Sequence, residues 1–116
     1  MTSSKAIGIF DSGVGGLTVL EQIRKELPNE NIIYLGDTKN FPYGTKSKEE
    51  IIECSKNNTK KLLEKGVKVI VVACGTATSQ AIEELKNEFD VPIIGIIEPT
   101  VKYIKEKNIN KIGVMA

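Results

Sequence analysis

Val69-Ile70-Val71-Val72-Ala73-Cys74-Gly75-Thr76-Ala77-Thr78 decides the fold. An unbroken apolar run leads into a cysteine, and Gly75-Thr76 follows it. A continuous Val/Ile run of this length reads as a strand buried on both faces, as in parallel sheets. Glycine and threonine then mark a tight turn from strand into helix. The cysteine therefore falls at the carboxyl end of a strand and at the start of a helix. Open parallel sheets bind ligands at that end. A helix N-terminus also favours an anionic sulfur over a neutral thiol.

Outward from this stretch the same pattern repeats. Residues 6–10 read as a short apolar strand, followed by the turn Asp11-Ser12-Gly13-Val14-Gly15-Gly16. Leu17, Leu20, Ile23 and Leu27 then fall at helical spacing, and Pro28-Asn29 stops that helix. Residues 31–36 are a second strand, and 37–46 a polar loop holding Phe41-Pro42-Tyr43-Gly44. Ser47-x-x-Glu50 is a capping box, so a helix begins there. Its inward face carries Ile51, Ile52, Ser55, Thr59, Leu62 and Leu63, and Gly66 closes it. A third strand is predicted over 67–73, a helix over 76–89 and a fourth strand over 91–97. Glu98-Pro99 opens a short helix, proline suiting the first helical position. Residues 111–116 read as the start of a fifth strand.

Alternation of this kind implies right-handed crossovers and an α/β fold, a parallel open sheet with helices on both faces in the flavodoxin-like manner. All strand-to-helix junctions then share one rim. Residues 1–97 are expected to form one α/β domain and 98–116 the truncated start of a second. A chain that stops inside an apolar strand is expected to be a piece of a longer one.

Composition narrows the function. The net charge is +1 with no basic cluster, so nucleic-acid binding lacks its electrostatic footprint. No apolar run is long enough to span a membrane, and the N-terminus lacks the apolar core of a signal peptide. Cys54 and Cys74 match neither a metal-site spacing nor a disulfide framework, which points to the cytoplasm. The chain has no histidine. That removes a Ser-His-Asp triad, a Cys-His dyad and any His-based metal site.

The rim residues each admit two readings. The Asp11–Gly16 turn is no dinucleotide fingerprint, because Thr18 stands at the third glycine position, and no Walker loop, because no Gly-Lys-Ser/Thr follows. It is either a tight turn with Asp11 or Ser12 capping the helix, or a carboxylate at a ligand rim beside backbone N–H groups. Asp37 and the Phe41–Gly44 loop are either turn chemistry or a pocket wall carrying Tyr43. Cys74 is either a buried packing thiol or a reactive one. A Cys-x5-Arg phosphatase loop is excluded by Gln80. What remains on the reactive reading is a nucleophile or acid/base that works without imidazole, with Asp11 either orienting it or taking its proton if the two strands are neighbours. Cys54 sits inside the helix that starts at Ser47, where packing is its expected role.

Taken together, four motifs carry a resemblance. Ile7-Gly8-Ile9-Phe10-Asp11-Ser12-Gly13-Val14-Gly15-Gly16-Leu17-Thr18-Val19 closely resembles the opening of the bacterial glutamate racemase family. Tyr34-Leu35-Gly36-Asp37-Thr38-Lys39-Asn40-Phe41-Pro42-Tyr43-Gly44 is similar to its second signature, and Val71-Val72-Ala73-Cys74-Gly75-Thr76-Ala77-Thr78 to its first cysteine motif. Pro92-Ile93-Ile94-Gly95-Ile96-Ile97-Glu98-Pro99 resembles the segment leading into that family's second domain. The resemblance implies an Asp/Glu racemase domain and a cofactor-independent, metal-free isomerase. Such an enzyme interconverts L- and D-glutamate and supplies D-glutamate for peptidoglycan. It implies two cysteines facing opposite sides of the substrate α-carbon, with Cys74 as one and Asp11 as its assisting carboxylate. By the same resemblance Ser12, Tyr43, Gly44 and Thr76 bind substrate, and Pro42 and Gly75 belong to the same binding motifs. A homodimer is compatible with it, and an aspartate racemase relative or a non-catalytic binding module are the alternatives.

Two departures stand out. The family motif usually reads Cys-Asn-Thr, and Gly75 replaces the asparagine. An amide there donates to a charged substrate, a bond worth about 1.5–3 kcal/mol. The second cysteine motif, of Gly-Cys-Thr-His type, does not occur within these 116 residues. This chain alone is therefore expected to be inactive in full racemisation.

Overall fold

The computed structural model describes residues 5–114. Its strands are β1 (Ala6–Asp11), β2 (Ile32–Gly36), β3 (Val67–Val72) and β4 (Ile93–Gly95). Its α-helices are α1 (Leu17–Glu26), α2 (Lys48–Glu64), α3 (Gly75–Glu88) and α4 (Ile97–Glu106), with a 3-10 turn at Thr38–Asn40. All strand pairs are parallel and the order is β2-β1-β3-β4. The α/β fold with a parallel open sheet is thus the one the alternation predicts.

Helices cover both faces. On one, Val19, Leu20 and Ile23 of α1 pack on Ile7, Ile9 and Ala73. On the other, Ile51 and Leu62 of α2 and Ala77, Ala81 and Leu85 of α3 pack on Phe10, Ile70 and Val72. β1 is buried along its whole length because it has a strand on each side and helices above and below. The capping box forms as read: Ser47 Oγ accepts from the Glu50 N–H, and the Glu50 carboxylate accepts from the Ser47 N–H.

Three expectations are corrected. The fourth strand shrinks from 91–97 to Ile93–Gly95, because Ile96 already adopts the helical conformation and caps α4. Pro99 is consequently the third residue of its helix and not the first; its missing N–H costs nothing there, since the first turn has no intrahelical acceptors. The fifth strand does not form over residues 111–114, which are exposed and pair with no strand among the described residues; residues 115–116 lie outside the described residues.

Strand order fixes what meets at the rim. β1 and β3 are neighbours, with Phe10 opposite Val72 and the Ala73 N–H bonded to the Phe10 carbonyl at 2.9 Å. Asp11 and Cys74 therefore leave the sheet side by side. β2 lies on the other side of β1, and the Asp37 N–H reaches the Asp11 carbonyl at 2.9 Å. The ends of β1, β2 and β3 converge in this way. β4 ends on the same edge, Gly95 beside Val72, but the Glu98 carboxylate that follows it is not part of the group. Glu98 is exposed and ion-paired with Lys86 at 3.3 Å. Lys86 lies 12 residues beyond Cys74, roughly 18 Å along α3, so Glu98 points away from the rim.

Candidate active site at the strand ends

Cys74 is the N-cap of α3. Extended backbone before it and helix after it turn its side chain back over the first turn, where Sγ accepts the Ala77 N–H at 3.4 Å. Its other neighbour is Ser12, whose Oγ lies 3.8 Å from Sγ and accepts from the thiol. A serine hydroxyl rotates freely and is both donor and acceptor. Ser12 can thus accept from a thiol and donate to a thiolate without moving its oxygen. Cys74 is buried and not oxidised to a disulfide.

Asp11 is placed differently from Ser12. Its Oδ2 accepts the N–H of Gly13 at 3.3 Å and of Gly16 at 2.9 Å. The carboxylate thus closes the β1–α1 turn up to the N-cap residue Gly16, while the N–H groups of Leu17, Thr18 and Val19 are taken by the carbonyls of Val14, Gly15 and Gly16. Asp11 does not hydrogen-bond Cys74. Both groups nevertheless act on Tyr34, whose phenol pKa is raised by burial first, then by the charge of Asp11 and, less, by that of Cys74. The Tyr34 hydroxyl donates to the Gly13 carbonyl at 2.9 Å and ties β2 to this turn.

The loop between β2 and α2 supplies the other wall. Phe41 lies over Gly13, its ring 3.1 Å from where a Gly13 Cβ would stand. Pro42 and Gly44 are exposed, and nothing lies within 4 Å of a Cβ built on Gly44. Tyr43 points the opposite way. It is only 1% exposed, and its hydroxyl donates to Asp37 Oδ2 while accepting from Asn58 Nδ2 at 2.7 Å. Asn40 completes the set, its amide lying 3.0 and 3.1 Å from the two Asp37 oxygens. The phenol's one proton is thereby committed inside the protein.

Gly75 and Thr76 are the first two residues of α3, where N–H groups lack intrahelical acceptors. A Cβ on Gly75 would meet nothing within 4 Å. The asparagine expected from the resemblance has room there, and no backbone requirement calls for glycine.

The structure thus brings Cys74 and Ser12 together at the start of α3, with Asp11 on the neighbouring strand end and the Tyr43 ring turned inward. Asn58 and Asn40 were missed from the sequence. The available signal was Asn58 itself. It sits on the buried face of α2 with Ile51, Ser55, Thr59 and Leu62, and a buried amide must find partners. Cys54 packs beside the core, as expected; burial raises its thiol pKa, with the Asp37 carboxylate adding to the shift.

Tyr43, Tyr34 and Cys54 all hold their protons more tightly when folded than their ordinary values of 10.0, 10.0 and 9.0. For Tyr43 the causes are burial, then the hydrogen bond to Asp37 and its charge. A raised acid contributes stability that is complete below its unfolded pKa and is lost as pH rises through the folded one. The urea midpoint is therefore expected to fall above about pH 9. Tyr43→Phe should flatten the part of that fall above about pH 10, as urea titrations at pH 7, 9 and 10.5 would show.

A thiol without imidazole, its hydroxyl partner and the first N–H groups of α3 thus lie together at the open end of a parallel sheet. The Asp/Glu/Hydantoin racemase family profile matches residues 7–116, and the chain belongs to that family. It is 52% identical over 110 residues to a glutamate racemase of Aquifex aeolicus, covering 94% of this chain and 43% of that protein. Among solved structures it resembles a glutamate racemase from Aquifex pyrophilus, with a TM-score of 0.85 and 54% identity over 88% of this chain and 40% of that one. A glutamate racemase from Francisella tularensis, solved with D-glutamate, matches with a TM-score of 0.82 and 38% identity over 87% of this chain and 39% of the other. The chain spans about two-fifths of the length of these relatives.

Proposed function

We propose that this chain supplies one half of the active site of a cofactor-independent glutamate racemase. The observation that carries the reading is Cys74 Sγ at the N-cap of α3, between the Ala77 N–H and Ser12 Oγ. On this reading the Cys74 thiolate removes the substrate α-proton from one face. The resulting carbanion is held by donors on the substrate carboxylate, and a second acid returns a proton to the opposite face. Asp11 assists by fixing the turn that carries Ser12. Ser12, Pro42, Tyr43, Gly44, Gly75 and Thr76 surround the substrate, with Tyr43 acting through its backbone. Residues 1–97 form the first domain and 98–116 open a second, which brings the second cysteine. The product serves peptidoglycan synthesis in the cytoplasm, and a homodimer is compatible with the rim remaining open.

The α-proton of an amino acid is a very weak acid, so positioned donors must stabilise the charge that develops on the carboxylate. The acid/base group itself contributes about 10²–10⁴-fold. The test follows the α-proton signal of L- and D-glutamate in deuterium oxide with the 116-residue chain. Slow exchange of one enantiomer without inversion is expected, and Cys74→Ala should lower it at least ~100-fold. Full racemisation by this chain alone would sink the two-thiol assignment. Exchange that survives in Cys74→Ala would remove the residue from the chemistry, and faster exchange with aspartate would reassign the substrate.

A further inference from the structure

We infer that Asn58, in the middle of α2, is a positioning residue for the ligand-facing loop, acting through Tyr43. This rests on the racemase reading of the rim. The loop residues Pro42 and Gly44 are exposed, yet Tyr43 between them is almost wholly buried. A loop that alternates in this way is pinned at one point, and the pin is the phenol. The hydroxyl has one hydrogen to give and lone pairs to receive. It gives to Asp37 and receives from Asn58 at 2.7 Å, and the same Asn58 nitrogen lies 3.4 Å from Asp37 Oδ2. Asp37 is in turn held by its own backbone bond to Asp11 and by the Asn40 amide. The clamp thus joins α2 to the residue that leaves β2, and the loop hangs from it.

The consequence lies on the outer side. With the phenol fixed inward, the Tyr43 and Gly44 peptide groups stay at the rim. Among the described residues neither N–H has a protein acceptor, although the Tyr43 carbonyl takes the Lys46 N–H at 3.0 Å. Two preset donors suit a carboxylate, and presetting them avoids ordering the loop when ligand binds. Asn58 touches no ligand on this account. Its effect on binding passes through the phenol.

Backbone amide NMR of the 116-residue chain, titrated with D- and L-glutamate, tests this. In the unsubstituted chain the Tyr43 and Gly44 amides are expected to be ordered and to shift with glutamate. Asn58→Leu keeps the side-chain volume and leaves the Tyr43–Asp37 bond possible, so the fold should survive with a cooperative urea transition. Its loop order parameters should drop from about 0.85 to below about 0.6, and glutamate affinity should fall about tenfold. In a Tyr43→Phe background the same Asn58→Leu change should have no further effect on either readout. A purely structural role would lower the urea midpoint while leaving loop order and affinity alone, and that result overturns the proposal. An equal loss with and without the phenol overturns it too. If the unsubstituted chain shows no response to glutamate, the substrate reading fails for this chain, and the loop order parameters alone then decide the clamp.

Discussion

Replacing Gly36 with alanine is expected to destabilise the chain and to disturb the rim together. A Cβ at this position would stand 2.5 Å from the Gly13 carbonyl oxygen and 3.3 Å from the Tyr34 ring. No real methyl group tolerates the first distance, and the opposing atom is backbone, so no rotamer change relieves it. The end of β2 or the β1–α1 turn must move. The same Gly13 oxygen accepts the Tyr34 hydroxyl, so the turn loses that bond as it moves. Overpacking costs about 1–3 kcal/mol, and the lost bond about 1 kcal/mol more. A melting temperature lowered by on the order of 10 °C is expected. Ser12 rides on this turn, so glutamate exchange should fall although residue 36 touches no substrate. Gly44→Ala is the control. A Cβ there meets nothing within 4 Å, and its stability should change by less than about 0.5 kcal/mol. Calorimetry on the two variants separates close approach from a general sensitivity to losing glycine.

Phe10→Ala is expected to have the largest effect on stability. Phe10 is fully buried in the main core, on the strand that pairs with both β2 and β3. Removing a buried phenyl ring costs about 3–5 kcal/mol, because the cavity collapses only in part. A domain of this size has about 5–15 kcal/mol in all. The urea midpoint should therefore drop by about 2 M at a slope near 2 kcal/mol/M, with the slope unchanged. Phe10 immediately precedes Asp11, so a variant that still folds should also show altered Gly13 and Gly16 amide signals. A midpoint shift below about 0.5 M would mean that the two layers on this face repack freely. Val114, 86% exposed, provides the comparison at which truncation should cost almost nothing.

Much of this architecture was legible in residues 69–78 and their repeats. A buried parallel strand announces itself as an unbroken Val/Ile run, and a helix by its spacing and by the Ser47–Glu50 box. The errors lie where a local pattern needs a distant partner. Residues 111–114 carry a strand composition but pair with no strand among the described residues. Ile96 and Ile97 look like strand continuation, yet turn early into α4. For Tyr43 the sequence left turn chemistry and a pocket wall both open, and only the fold showed that its ring turns into the core. Asn58 falls at the spacing of the buried face of α2, but periodicity records which face is buried and not which polar atoms on that face are matched.

The sequence by itself determined the alternation of elements, the parallel sheet and the set of residues that leave each strand at one end. Those follow from backbone hydrogen bonding and side-chain period, which act within a few residues. Only the tertiary structure decided that β1 lies between β2 and β3. That order puts Ser12 beside Cys74 across 62 residues of chain, and the packing of α2 puts Asn58 on the Tyr43 hydroxyl across 15. It also decided that Asp11 closes a turn instead of bonding the thiol. Hydrogen-bond partners of buried polar groups are chosen by whatever the folded chain brings within about 3 Å, and no local pattern encodes that choice.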